Sequence, residues 1–241
     1  MGHVELFSAQ REFTAYGPSH LTVLAVFVVG AAALIWIGRR QTESQALVLS
    51  RVLAVLILAM FGVALVYKLI RPTLDGSVPL QLCDIAELMA VYALWSQRHW
   101  AFALTYYWGL VLSSQALITP DVGAPDFPSH GFITFFALHV LVVWAPIYLT
   151  WGRGMRPQWR SYRFVVITTL VWAAITFTFN AIAGTDYGYL NRKPPVASLL
   201  DALGPWPIYL LTEALIVLIV WALMTWPWVR TQRPADDSTV V

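Results

Sequence analysis

Charge is scarce in this sequence. Asp, Glu, Lys and Arg make up 12% of its 241 residues, against about 25% in an ordinary soluble domain, while apolar residues reach 59%. A soluble fold of this length cannot hide so much apolar surface. The net charge of +2, with no dense basic run, excludes a nucleic-acid surface. A single cysteine, Cys83, excludes an intramolecular disulfide. Lysine is limited to Lys68 and Lys193, so the last apolar run lacks the deep lysine that a retinal Schiff base needs. Histidine is too sparse for a zinc hydrolase: among His20, His130 and His139 no two stand three or four apart. No phosphate-binding loop, dinucleotide fingerprint or Gly-x-Ser-x-Gly elbow is present. No cofactor and no metal are expected.

What is abundant is the long apolar run. A bilayer core needs about 20 mostly apolar residues per helix, and seven stretches answer to that: 20–38, 48–70, 80–96, 100–118, 131–151, 162–183 and 206–229. The expected fold is an all-α bundle of about seven transmembrane helices over residues 19–230. An external segment at 1–18 precedes it and a disordered cytoplasmic tail at 231–241 follows. The first eighteen residues are too mixed for a cleavable signal peptide. Pro and Gly punctuate the linkers, as at Thr119-Pro120 and Gly204-Pro205. There is no internal repeat to suggest an inverted-repeat transporter. Twelve Trp, ten Tyr and twelve Phe suit the two membrane interfaces.

With seven spans, polar side chains fall at one depth. His20 opens the first run and Tyr67 and Lys68 close the second. Gln81, Cys83, Asp84 and Glu87 occupy the first turns of the third. Gln115 and Thr119 end the fourth, His139 sits in the outer half or near the middle of the fifth, Thr176 and Asn180 end the sixth, and Glu213 lies two turns into the seventh. Lipid offers such groups no hydrogen bonds, and a charge at a helix centre costs roughly 2.5–3.5 kcal/mol on insertion scales. They must meet one another or water, which points to a cavity. Cys83 and Glu87, four apart, share a helical face. Each also has a plain reading. Cys83 can be a small buried apolar side chain, His139 an interhelical hydrogen-bonder, and the three carboxylates helix glue.

Four stretches together resemble a known family. They are Leu80-Gln81-Leu82-Cys83-Asp84, Tyr107-Trp108-Gly109-Leu110 running on to Gln115 and Asp121, Phe135-Phe136-Ala137-Leu138-His139, and Asn180 followed by Tyr187 to Leu190 and Leu199 to Pro207. The pattern is similar to the YwaF-type bacterial integral membrane family, related to eukaryotic transmembrane protein 164. The resemblance implies a multi-pass protein of the bacterial inner membrane with membrane lipids as substrate or surroundings. It also implies lipid acyl transfer or ester hydrolysis with Cys83 as nucleophile and His139 as its base. His20, Gln81, Asp84, Glu87, Gln115, Asn180 and Glu213 would support or bind. One departure is Gln81, where members often carry histidine; a glutamine can donate to an oxyanion or orient a neighbour. Two other readings stand beside this one. One is a transporter or solute-binding protein using the carboxylates, the other a non-catalytic membrane scaffold. No protein partner is indicated.

Ten of the fifteen Lys and Arg residues fall on the side of the 1–2, 3–4 and 5–6 connections and the C-terminus, which predicts that side to be cytoplasmic. Reporter fusions at the C-terminus should be active inside the cell only; activity outside would invert the arrangement.

Overall fold

The computed structural model describes residues 11–70, 72–194 and 199–230. The expected tail at 231–241 and most of the expected external segment lie outside them. Seven helices carry the fold: α1 (Pro18–Gly38), α2 (Glu43–Ile70), α3 (Leu82–Ser96), α4 (His99–Ile118), α5 (His130–Gly152), α6 (Trp159–Ala183) and α7 (Ile208–Arg230). Among the described residues there is no strand. Six helices are long and apolar enough to cross a membrane. The exception is α3, expected to span over 80–96. It has 15 residues, about 22 Å at 1.5 Å per residue, short of a hydrocarbon core of about 30 Å.

Successive helices run antiparallel, so the bundle has two distinct ends. At one, Arg39 Nε donates to the Trp151 carbonyl at 3.1 Å, Tyr148 donates to Gln41 at 2.9 Å, and Arg153 pairs with Glu43 at 2.6 Å. Arginines there lie over tryptophan rings, Arg40 on Trp36 at 4.4 Å, Arg156 on Trp228 at 5.8 Å and Arg230 on Trp226 at 5.3 Å. Such pairs join a charge to an amphipathic ring at headgroup level. At the other end α2 closes and α3 begins, and this end holds the cavity described below.

α4 forms the centre of the core. Phe102, Tyr107 and Trp108 are fully buried against Ala90 and Leu94 of α3, Tyr148 of α5 and Trp221 of α7. At Trp108–Ser113 α4 widens into a π turn, beside Pro146 inside α5. Gly109 makes this approach possible, because a Cβ there would stand 3.0 Å from Pro146 Cγ. Helix α1 packs on α5 through glycines, since without a strong hydrophobic drive in lipid small residues let helices close up. A Cβ on Gly30 would lie 2.0 Å from the Trp144 ring, which is itself held by its indole N–H donating to the Phe27 carbonyl at 3.0 Å.

Gly30→Ala should therefore lower the unfolding temperature in detergent, at a cost of about 1–3 kcal/mol. Gly62→Ala on α2 meets nothing within 4 Å and should be neutral or slightly stabilising. Equal behaviour of the two variants would refute the packing argument.

Candidate functional site

The site is built at the first turn of α3. Gln81 precedes the helix with extended backbone and gives no side-chain cap. The first ladder bond runs from the Ile85 N–H to the Gln81 carbonyl at 3.3 Å. The N–H groups of Leu82 and Asp84 consequently meet no acceptor among the described residues, and that of Cys83 meets only its own sulfur, as expected of an uncapped helix start. Two contacts from outside the helix fix this point in space. The Trp172 indole of α6 donates to the Leu80 carbonyl at 3.1 Å, and the Gly188 N–H donates to Gln81 Oε1 at 3.0 Å. Gly188 has φ of 70°, and a Cβ on it would stand 2.6 Å from the Trp172 ring. Only glycine fits there.

This turn opens onto a cavity of about 1190 Å³. Gln81, Cys83, Asp84, Glu87, Gln115, His139 and Glu213 all line it, so seven of the nine candidate residues come together. Lys68 Nζ reaches Asp84 Oδ1 at 3.0 Å. The second oxygen of Asp84 and Oε2 of Glu87 are buried without a hydrogen-bond partner, though these side chains are only 6% and 4% exposed as residues. The thiol of Cys83 is free and half-buried. His139 donates from Nδ1 to the Phe135 carbonyl at 2.7 Å. A carbonyl can only accept, so the proton sits on Nδ1 and the neutral ring offers its Nε2 lone pair elsewhere. Among the described residues no hydrogen bond joins Cys83 to His139; what they share is the cavity. Its remaining wall is largely apolar and reaches the flank of the bundle, since Leu170, Phe177 and Ile216 line it and are also exposed.

Two candidates lie elsewhere. His20 is fully buried outside the cavity, receiving the Tyr16 N–H on Nδ1 at 2.9 Å and donating from Nε2 to the Leu117 carbonyl at 2.9 Å. Rings of Phe13, Tyr16 and Phe136 enclose it. It ties α1 to the end of α4. Asn180 is spent on a loop. Its Nδ2 donates to the Tyr187 carbonyl at 2.9 Å and to Asn191 at 3.0 Å, while Oδ1 accepts from Thr185 at 2.8 Å and from the Tyr187 N–H at 2.9 Å.

The loop so held brings in residues that sequence reasoning did not select. Tyr187 accepts from the Val78 N–H and donates to the Leu74 carbonyl, at 3.1 and 2.6 Å. Tyr189 lines the cavity beside Asp121; burial, with the Asp121 charge adding to it, pushes its phenol up to about 12, so it keeps its proton at neutral pH. His130 also lines the cavity, stacked on Tyr67 at 3.5 Å with Nε2 buried and unpartnered. The Lys68–Asp84 pair was within reach of the sequence, because both residues lie where adjacent antiparallel helices meet. Tyr189 lies in the Tyr187–Leu190 stretch that carries the family resemblance, but nothing local gives it a role in the site. Among the described residues no group of three or more His, Cys, Asp or Glu could hold a metal ion.

A helical bundle with six span-length helices around such a cavity is a multi-pass membrane protein, suited to a lipid environment. It belongs to the TMEM164 family, whose sequence model matches residues 15–225 and so takes in every helix that lines the cavity. No curated protein and no solved structure matches the chain.

Asn180→Ala should cost about 2–4 kcal/mol, because it leaves several buried donors and acceptors of the loop unmatched. The reading is thermal unfolding together with faster proteolysis within 184–191; an unchanged loop would mean these hydrogen bonds do not hold it.

Proposed function

We propose that this protein modifies membrane lipids by acyl transfer or ester hydrolysis, with Cys83 as nucleophile and His139 as general base. One observation carries the reading: a thiol and an imidazole with a free Nε2 line the same cavity, whose apolar wall reaches the flank of the bundle. An acyl chain can enter there from the bilayer and bring its ester to the polar turn.

The chemistry follows from the residues. A free thiol near pKa 8.5 is only a few per cent ionised at neutral pH, so it needs a base at the moment of attack. The Cys83 sulfur forms a bond to the ester carbonyl carbon, its proton passes to His139 Nε2, and the carbonyl π pair moves onto oxygen. As the carbonyl re-forms, the ester C–O bond breaks and the departing alcohol recovers the proton from His139. A second alcohol, or water, then attacks the thioester through the same steps. Glu87 and Glu213 line the same cavity and would accept from that alcohol. The cavity end carries few arginines and the opposite end most of them, which supports an outward-facing site in an inner membrane with the C-terminus in the cytoplasm.

Three variants in one lipid acyl-exchange assay test this. Cys83→Ala should abolish turnover while the protein stays folded, and His139→Ala should reduce the rate by about 10²–10⁴. Glu213→Gln should do less. Wild-type activity in Cys83→Ala removes the covalent mechanism. Solute or cation flux lost with Glu87→Gln or Glu213→Gln, and indifferent to Cys83→Ala, would establish the carboxylate-based transport reading instead. Lipid profiles of cells lacking the protein, complemented with wild type or Cys83→Ala, identify the lipid.

A further inference from the structure

We propose that Gln81 Nε2, together with the backbone N–H groups of Cys83 and Asp84, forms the hole that receives the oxyanion when an acyl group moves onto Cys83. The inference rests on the acyl-transfer reading above and names the groups that would stabilise its transition state.

The attack puts negative charge on the former carbonyl oxygen, and catalysis requires fixed donors where that charge develops. The first turn of α3 supplies them. The Asp84 N–H has no acceptor among the described residues, the Cys83 N–H meets only its own sulfur, and the positive end of a 15-residue helix lies behind them. Gln81 adds a side-chain donor whose direction is set. The Gly188 N–H occupies Oε1 at 3.0 Å, so that end of the amide is the oxygen and the other the NH₂. No described residue accepts from this NH₂, and Gln81 lines the cavity.

Its support is rigid. Gly188 lies against the Trp172 ring, and Trp172 donates to the Leu80 carbonyl next to Gln81. The amide is thus clamped between α6 and the 184–191 loop, as a preorganised donor must be.

A second observation asks for a ligand at the same turn. Asp84 Oδ2 and Glu87 Oε2 are buried acceptors with no donor, and burial without a partner is costly. Donors for an oxyanion and acceptors for a hydroxyl within one turn and a half of helix complement the two halves of an ester undergoing alcohol exchange. The Lys68 ammonium at 3.0 Å from Asp84 offsets the carboxylate charge nearest the proposed hole.

The competing role for Gln81 is a structural link between α3 and the loop, and two substitutions separate the roles. Gln81→Glu keeps an oxygen for the Gly188 N–H and removes the N–H donors. Gln81→Met removes both. Full-length protein in nanodiscs is treated with p-nitrophenyl decanoate and, separately, with iodoacetamide, and adducts on Cys83, the single cysteine, are followed by intact mass. Alkylation develops no oxyanion and acts as the internal reference. In both variants the rate of acylation relative to alkylation should fall about 10²–10³-fold, since the charge added by Gln81→Glu slows both reactions alike and cancels in that ratio. Wild-type acylation in Gln81→Glu, or acylation and alkylation falling together, overturns the proposal. Wild-type protein that alkylates but never acylates brings down the acyl-transfer reading itself, and the hole with it.

Discussion

The cavity end of the molecule is arranged around the uncapped first turn of α3, a helix of 15 residues. That turn stands beside the last turn of α2, where Asp84 meets Lys68, and the chain at 72–81 leads into it. The partly buried backbone leading into α3 needs hydrogen-bond partners. It is satisfied from the side. Tyr187 serves the Val78 N–H and the Leu74 carbonyl, Trp172 serves the Leu80 carbonyl, and Ser77 donates to the Lys68 carbonyl at 2.9 Å. Tyr187 can do this because Asn180 holds its backbone at both N–H and C=O. A single amide on α6 thereby supports the entry of the chain into α3.

The same turn gathers the polar groups of the cavity. There α3 presents a thiol and two carboxylates to the space between the helices. The bundle keeps that space open. The π turn of α4 beside Pro146 and the apolar wall from α6 and α7 line a volume that side chains do not fill. Asp84 in the first turn is favoured by the helix dipole and balanced by Lys68, which lets an ionisable group sit at this depth. Glu87 lacks such a partner among the described residues, as befits a group that awaits a ligand.

The helices were legible in the sequence because membrane spans are written as length and apolar composition, both local properties. The expected limits of the fifth span, 131–151, differ by one residue at each end from α5. α3 begins two residues later than the expected 80–96 for a physical reason. Apolar residues continue through Val78 to Leu80, but Pro79 and the polar Gln81 leave the backbone there non-helical, and its bonds go to Tyr187 and Trp172 instead. Depth was also readable, and it placed Cys83, Asp84, Glu87, Gln115, His139 and Glu213 about one cavity. Direction was not. His20 and Asn180 stand at the same depth as the others, yet their hydrogen bonds turn away from the cavity, toward Leu117 in one case and the 184–191 loop in the other. Whether a polar side chain at a given level faces a cavity or a neighbouring carbonyl depends on helix rotation and on loops far along the chain.

Gln81 illustrates how one side chain can hold the fold and offer a donor at the same time. The family resemblance expects a histidine at this position. In the folded chain it is the residue on which three elements converge: it precedes α3, accepts from the loop at Gly188, and follows the carbonyl that Trp172 of α6 holds. A histidine ring could offer a donor or an acceptor here, depending on its tautomer. A glutamine clamped through its oxygen can only donate from its remaining end. Fixing the acceptor half of the amide is thus what makes its donor half dependable, and the structural bond to Gly188 and the proposed catalytic one are two consequences of the same orientation.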